Sequence, residues 1–123
     1  MTDVTGFGLI GHAREMALAS DVALRLRARS IPVLEGALDC VRAGLIPGGL
    51  NANRDFAECV VGYDSAVPDD LRTILFDPQT AGGLLISTSE GGALTQALQE
   101  AGVSAAYIGE VLPPAKPLIL VIK

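Results

Sequence analysis

The sequence predicts an α+β or α/β sandwich: one domain, with a single mixed, largely antiparallel sheet and helices packed on it. Three observations lead there. Amphipathic segments of helical length alternate with short apolar runs of strand length. Half of the residues are hydrophobic, yet only 4% are aromatic and Trp is absent, so the core is Leu, Val, Ile and Ala, which suits helices on a sheet. Finally, 123 residues bury one ordinary hydrophobic core and no more.

Each element has its own signature. Residues 7 to 19 read as a first helix, with Ile10, Ala13, Ala17 and Leu18 inward and Arg14 and Glu15 outward. Ser20-Asp21 breaks that pattern. From Val22 the chain alternates, with Val22, Leu24, Leu26 and Ala28 on one face and Arg25, Arg27 and Arg29 on the other, a half-buried strand with an antiparallel neighbour. After Ile31-Pro32 a second helix, about 33 to 43, ends at Gly44. Residues 45 to 58 read as irregular, and a short apolar run follows at Cys59-Val60-Val61. Pro68-Asp69-Asp70 starts a third helix, since Pro suits the first turn and acids suit the positive end of the dipole. It stops at Phe76, because Asp77 precedes Pro78 and is pushed out of helical geometry. Gly82 to Ser87 reads as a buried strand, Ser89-Glu90 starts a fourth helix that runs to Ala101, and Gly102 ends it. Two last strands lie near Ala105–Val111 and Leu118–Ile122.

Charge and composition exclude several function classes. A formal charge of −5 and a pI near 4.6 argue against a nucleic-acid partner, which requires a basic face. There is no run of about 18 apolar residues and no basic stretch leading into an apolar one, so the sequence gives no membrane span and no signal peptide. Cys40 and Cys59 stand 19 positions apart without a CxxC or a nearby His, and read as two reduced, largely buried thiols of a cytoplasmic protein rather than metal ligands. Walker A, GxSxG and HExxH motifs are absent.

Three segments are candidates for chemistry. In Thr2-Asp3-Val4-Thr5-Gly6-Phe7-Gly8-Leu9-Ile10-Gly11-His12, an acid, two hydroxyls and three glycines lead into a helix. Free N–H groups at a helix start attract anions, glycines admit a phosphate close to the backbone, and Asp3 offers the hard oxygen that Mg²⁺ prefers. The plainer reading is an ordinary helix start capped by Asp3 or Thr5, although glycine costs up to ~1 kcal/mol relative to Ala in a helix and three in six positions is a poor design for stability alone. In Gly48-Gly49-Leu50-Asn51-Ala52-Asn53-Arg54, paired glycines, amides and a fixed Arg54 cation suit an oxyanion, or else make a surface loop of local Asn turns. In Asp77-Pro78-Gln79-Thr80-Ala81-Gly82-Gly83, a polar turn links helix and strand. His12, the only histidine, reads as a packed or hydrogen-bonded residue before it reads as a base.

Taken together and in this order, TDVTGFGLIGHAREMA, GGLNANRDF and LFDPQTAGGLLIS resemble the C-terminal domain of the selenophosphate synthetase (selenide, water dikinase) family over nearly the whole chain. Wider relatives share pieces: aminoimidazole ribonucleotide synthetase, formylglycinamidine synthase, thiamine-monophosphate kinase and the hydrogenase maturation ATPase. The resemblance implies an aminoimidazole ribonucleotide synthetase C-terminal-domain-like sandwich. It also implies a two-domain, homodimeric cytoplasmic parent whose N-terminal domain supplies the catalytic Lys and Cys or selenocysteine, the dimer sheet and most of the ATP and Mg²⁺ site. Residues 1–123 are then the C-terminal half of a synthetase and hold no catalytic residue themselves. By the same resemblance Asp3 is a metal ligand, Thr5, Gly6 and Gly8 face the phosphates, and Asn51, Asp77, Gln79 and Thr80 shape the nucleotide site. The implied reaction converts ATP, selenide and water to selenophosphate, AMP and phosphate, and the chain alone is inactive. The remaining readings are a domain of another ATP-dependent relative and a non-catalytic binding domain of the same fold.

Overall fold

The computed structural model describes residues 1–123. Its main sheet has four strands: β2 (Ala23–Arg27), β3 (Val61–Tyr63), β5 (Gly109–Leu112) and β6 (Ile119–Ile122), in the order β3-β6-β2-β5. A separate two-stranded ribbon pairs β1 (Thr2–Asp3) with β4 (Leu84–Leu85), antiparallel. Five helices complete the fold: α1 (Gly8–Ala19), α2 (Ala37–Arg42), α3 (Gly48–Ala57), α4 (Asp69–Ile74) and α5 (Gly91–Glu100).

The expected mixed sheet with packed helices is present. Its strand directions differ in emphasis from the expectation: β2 pairs antiparallel with β5 but parallel with β6, and β6 pairs parallel with β3. The alternation of Leu24, Leu26 and Ala28 with Arg25 and Arg27 reports which face is wet, and is silent about strand direction. The wet face is real, since Arg25 and Arg27 both reach Glu110 on β5, at 3.2 and 3.3 Å.

The core lies between the other sheet face and the helices. Ile10 and Ala13 of α1, Leu50 and Ala57 of α3, Val67, Leu75 and Phe76 close on Leu26, Ala28, Ile119 and Val121. It is the aliphatic core that the composition predicts, with Phe76 as its one aromatic. Helix ends also follow the sequence signals: Gly44 and Gly102 follow α2 and α5 with φ of +71° and +76°, where a left-handed residue closes the helix.

Several expectations are corrected. Residues 48–57 form α3 rather than a loop, because Leu50, Asn53 and Ala57 recur at helical spacing and all three are buried. Burial of that stripe outweighs the poor propensity of Gly48 and Gly49. The second helix is shorter than expected and starts at Ala37. The strand expected over Gly82–Ser87 shrinks to Leu84–Leu85, and Leu84 is 62% exposed, because β4 pairs only with the chain terminus and not with the main sheet. Leu18 is exposed at the rim of α1. Cys40 and Cys59 are free, as expected, but exposed, since α2 has no buried residue and Cys59 lies in a surface 3-10 turn.

Candidate functional site

The first and third motifs are built into one structure by backbone hydrogen bonds. Val4 N–H donates to Gly83 O (2.9 Å), Gly82 N–H to Val4 O (3.1 Å), Gln79 N–H to Thr5 O (3.0 Å) and Ile10 N–H to Leu75 O (3.1 Å). Residues 4–10 and 75–83 are therefore zipped along their length, continuing the β1–β4 ribbon. Two glycines permit this approach. A Cβ on Gly8 would stand 2.8 Å from the Phe76 carbonyl carbon and oxygen, and a Cβ on Gly82 would overlap Val4 O.

Between these contacts the chain makes a tight turn. Gly8 N–H donates to Thr5 O at 3.0 Å, and Phe7, with φ −85° and ψ −1°, sits at the third position. Gly8 follows with φ +69°. A right-handed residue followed by a left-handed one turns neighbouring N–H groups to a common side, a shape that receives anions. The N–H groups of Gly6, Phe7 and Leu9 find no acceptor within the chain. Gly6 and Phe7 are exposed, and nothing lies within 4 Å of where a Gly6 Cβ would be.

Polar side chains from two helices hold this turn. His12 of α1 accepts the Thr5 N–H through Nε2 at 3.0 Å, and the Thr5 hydroxyl lies 3.1 Å from the same nitrogen. Accepting there places the ring proton on Nδ1. Asn53 of α3, only 8% exposed, donates its Nδ2 protons to Gly6 O (2.8 Å) and Phe76 O (3.0 Å). One amide thus joins the second motif to both of the others. Gly49 adds contact, its position standing 3.4 Å from the Pro78 ring for an added Cβ.

The residues singled out in the sequence fall into place unevenly. Thr5, Gly6 and Gly8 form the turn itself, and Asp77 and Gln79 lie alongside it, with Gln79 Nε2 donating to the Asp77 carboxylate at 2.8 Å. Thr80 is exposed. Asp3 is exposed on β1 opposite Leu84, and nowhere in the chain do three His, Cys, Asp or Glu side chains gather. Asn51 is exposed on α3 and makes no side-chain hydrogen bond to the rest of the chain, whereas Asn53 carries the contacts. Arg54 points away from the turn, donating to Thr73 Oγ1 at 2.6 Å with its guanidinium 5.6 Å over the Phe76 ring. It is an internal brace, not a free cation. Asn53 was legible in principle: three after Leu50 and four before Ala57, it is the polar residue on the buried stripe of a helix. His12 is the hydrogen-bonded residue it was read as.

Residues 1–119 match the family model for the AIR synthase related protein, C-terminal domain. The chain belongs to this family. Individual relatives agree. A selenide, water dikinase of Pelobacter propionicus is 45% identical over 90% of this chain, one of Trichlorobacter lovleyi 43% over 98%, and one of Clostridioides difficile 38% over 99%. The aligned parts are 33%, 35% and 36% of those proteins, so this chain spans about a third of the length of the relatives it matches. No helix of the chain is long and apolar enough to cross a membrane.

Proposed function

We propose that residues 1–123 are the C-terminal domain of a cytoplasmic, homodimeric selenide, water dikinase, and that the Thr5–Leu9 turn lines the phosphate side of its ATP site. The observation that carries the reading is the turn: exposed, free of side-chain cover at Gly6, with three N–H groups uncommitted and its shape fixed by Gly8, His12 and Asn53. The parent reaction is conversion of ATP, selenide and water to selenophosphate, AMP and phosphate. In it the turn neutralises developing negative charge with backbone dipoles that need no rearrangement. Asp77, Gln79 and Thr80 fix the neighbouring segment, and Asn51, at the solvent face of α3, is left as a distant contributor.

Asp3 fits Mg²⁺ as a single hard oxygen ligand, with the other ligands coming, in this reading, from water, phosphate and an N-terminal domain. When bound, the metal offsets phosphate charge. By itself the chain binds nucleotide weakly and is inactive, since the catalytic Lys and Cys or selenocysteine belong to that domain. The experiment is Asp3→Asn in the full-length protein. We expect turnover to fall at least tenfold and the Mg²⁺ requirement to shift upward, and unchanged Mg²⁺ dependence would remove Asp3 from the site. For the domain alone, calorimetry with Mg-ATP should give no binding in the micromolar range.

A further inference from the structure

We propose that Asn53 is a positioning residue for phosphate recognition, holding the Gly6 carbonyl inward so that the Phe7 N–H faces outward. The inference rests on the reading that the Thr5–Leu9 turn faces phosphate, and adds a residue that acts on it from behind. A trans peptide is planar, and its C=O and N–H point in opposite directions. The Gly6 oxygen and the Phe7 N–H belong to one peptide, so a donor that captures the oxygen from the core side sends the N–H toward solvent. Asn53 Nδ2 is that donor, at 2.8 Å and from a buried side chain. The Phe7 N–H indeed has no acceptor within the chain.

Gly8 N–H closes the turn on Thr5 O and the Phe7 ring lies against Phe56 and His12, with centroids 6.1 and 5.8 Å apart, but none of these contacts binds the Gly6 carbonyl. Gly6 is exposed, no atom would meet its Cβ, and a glycine at the second position of a turn admits several turn types. Local sequence therefore leaves the Gly6–Phe7 plane undetermined, and a contact from 47 residues away determines it. The second proton of the same amide holds Phe76 O at 3.0 Å, immediately before Asp77, so one side chain also fixes the spacing between the turn and the Asp77–Thr80 segment. His12 acts two peptides earlier, on the Thr5 N–H of the Val4–Thr5 peptide, and does not touch the Gly6–Phe7 peptide.

Two variants of similar shape test this. Asn53→Leu removes both donors. Asn53→Asp places a carboxylate against two carbonyls at neutral pH, and its protonated form at lower pH restores one donor. The direct readout is the residual dipolar coupling of the Phe7 amide in the isolated chain, with α5 amides as the internal control. We expect both variants to change the Phe7 coupling and to leave those of α5 unchanged. In the full-length protein, we expect KM for ATP to rise roughly ten- to a hundredfold, the range for a hydrogen bond to a charged group, with kcat less affected. Measured relative to wild type at each pH, acidification should recover Asn53→Asp but not Asn53→Leu. A Phe7 coupling that stays at its wild-type value, or an ATP KM within twofold of wild type, overturns the proposal. So does equal recovery of both variants at low pH, which marks a packing role. Should Asn53→Leu not fold, the pH dependence within Asn53→Asp decides alone. If wild-type full-length protein consumes no ATP with selenide, the functional reading fails, while the dipolar coupling still decides whether Asn53 orients the peptide.

Discussion

Asn53 and Arg42 each hold two partners, Asn53 both across the fold and Arg42 one across it and one on its own helix, and the two regions around them behave differently. Asn53 lies 8% exposed between α1 and α3 and satisfies two backbone carbonyls. Arg42 lies on α2 with its side chain 58% exposed, donating to Asp70 at 2.7 Å and to Asp39 at 2.9 Å. The hydrogen bond and charge of Asp70, with those of Asp39, push the Arg42 guanidinium pKa further up from its ordinary value. Although the Asp70 side chain is only 15% exposed, the Arg42 guanidinium stands in water, which screens the charges and competes for the same hydrogen bonds. The buried amide has no such competitor, and its loss strands carbonyls that water reaches poorly. The comparison teaches that geometry around the turn is imposed by few, dry polar contacts, while the more numerous charges on the α2–α4 side hold little.

The largest expected effect lies on the dry side. Phe76→Ala removes the one buried aromatic beneath the Asn53 contact and should cost about 4 kcal/mol in a urea titration. A loss under about 1 kcal/mol would show that this side of the fold is no better packed than the other. Gly8→Ala comes next, at about 2 kcal/mol or more, because a Cβ at φ +69° is strained and meets the Phe76 backbone at 2.8 Å. An unchanged denaturation midpoint would mean that the turn and the Phe76 segment separate without penalty.

Tyr63 sharpens the contrast from another side. Its hydroxyl is buried without a partner, and burial first, then the Glu58 charge, raises its pKa to about 12, against the opposing effect of Arg54 and Arg72. Tyr63→Phe should therefore leave stability unchanged or raise it by up to ~1 kcal/mol at neutral pH. The folded state holds the phenol proton more tightly than the unfolded chain, so this contribution is complete below about pH 10 and disappears as pH climbs toward about 12. Wild type should lose stability across that interval faster than Tyr63→Phe, and parallel curves would refute the burial of the hydroxyl. The smallest effect belongs to Asp70→Asn. Removing the charge that Arg42 holds, at the first turn of α4, should cost about 0.5 kcal/mol, and a loss above about 2 kcal/mol would overturn the contrast between the two regions.

Much of this was legible along the chain. Pro68-Asp69-Asp70, Gly44 and Gly102 marked helix ends because capping and left-handed closure are local events. The three motif segments were legible as well, and they do come together. What escaped was any property decided by a distant partner. Gly48 and Gly49 argued against a helix that burial of Leu50, Asn53 and Ala57 enforces. Asn51 and Asn53 are the same residue type two positions apart, and only the direction of the α3 face separates a solvent-facing side chain from one that joins all three motifs.

The sequence by itself determined an aliphatic core, the helix ends at Gly44 and Gly102, the helix start at Pro68, a charged strand face and a glycine turn next to an acid at residues 3–8, because composition, periodicity and the φ freedom of glycine act over a few residues. Tertiary structure alone decided strand direction, the exposure of Leu84 and both cysteines, the inward path of Arg54 and the orientation of the Gly6–Phe7 peptide. Those depend on which surfaces exclude water and which donors arrive from far along the chain, and neither is set by neighbours in sequence.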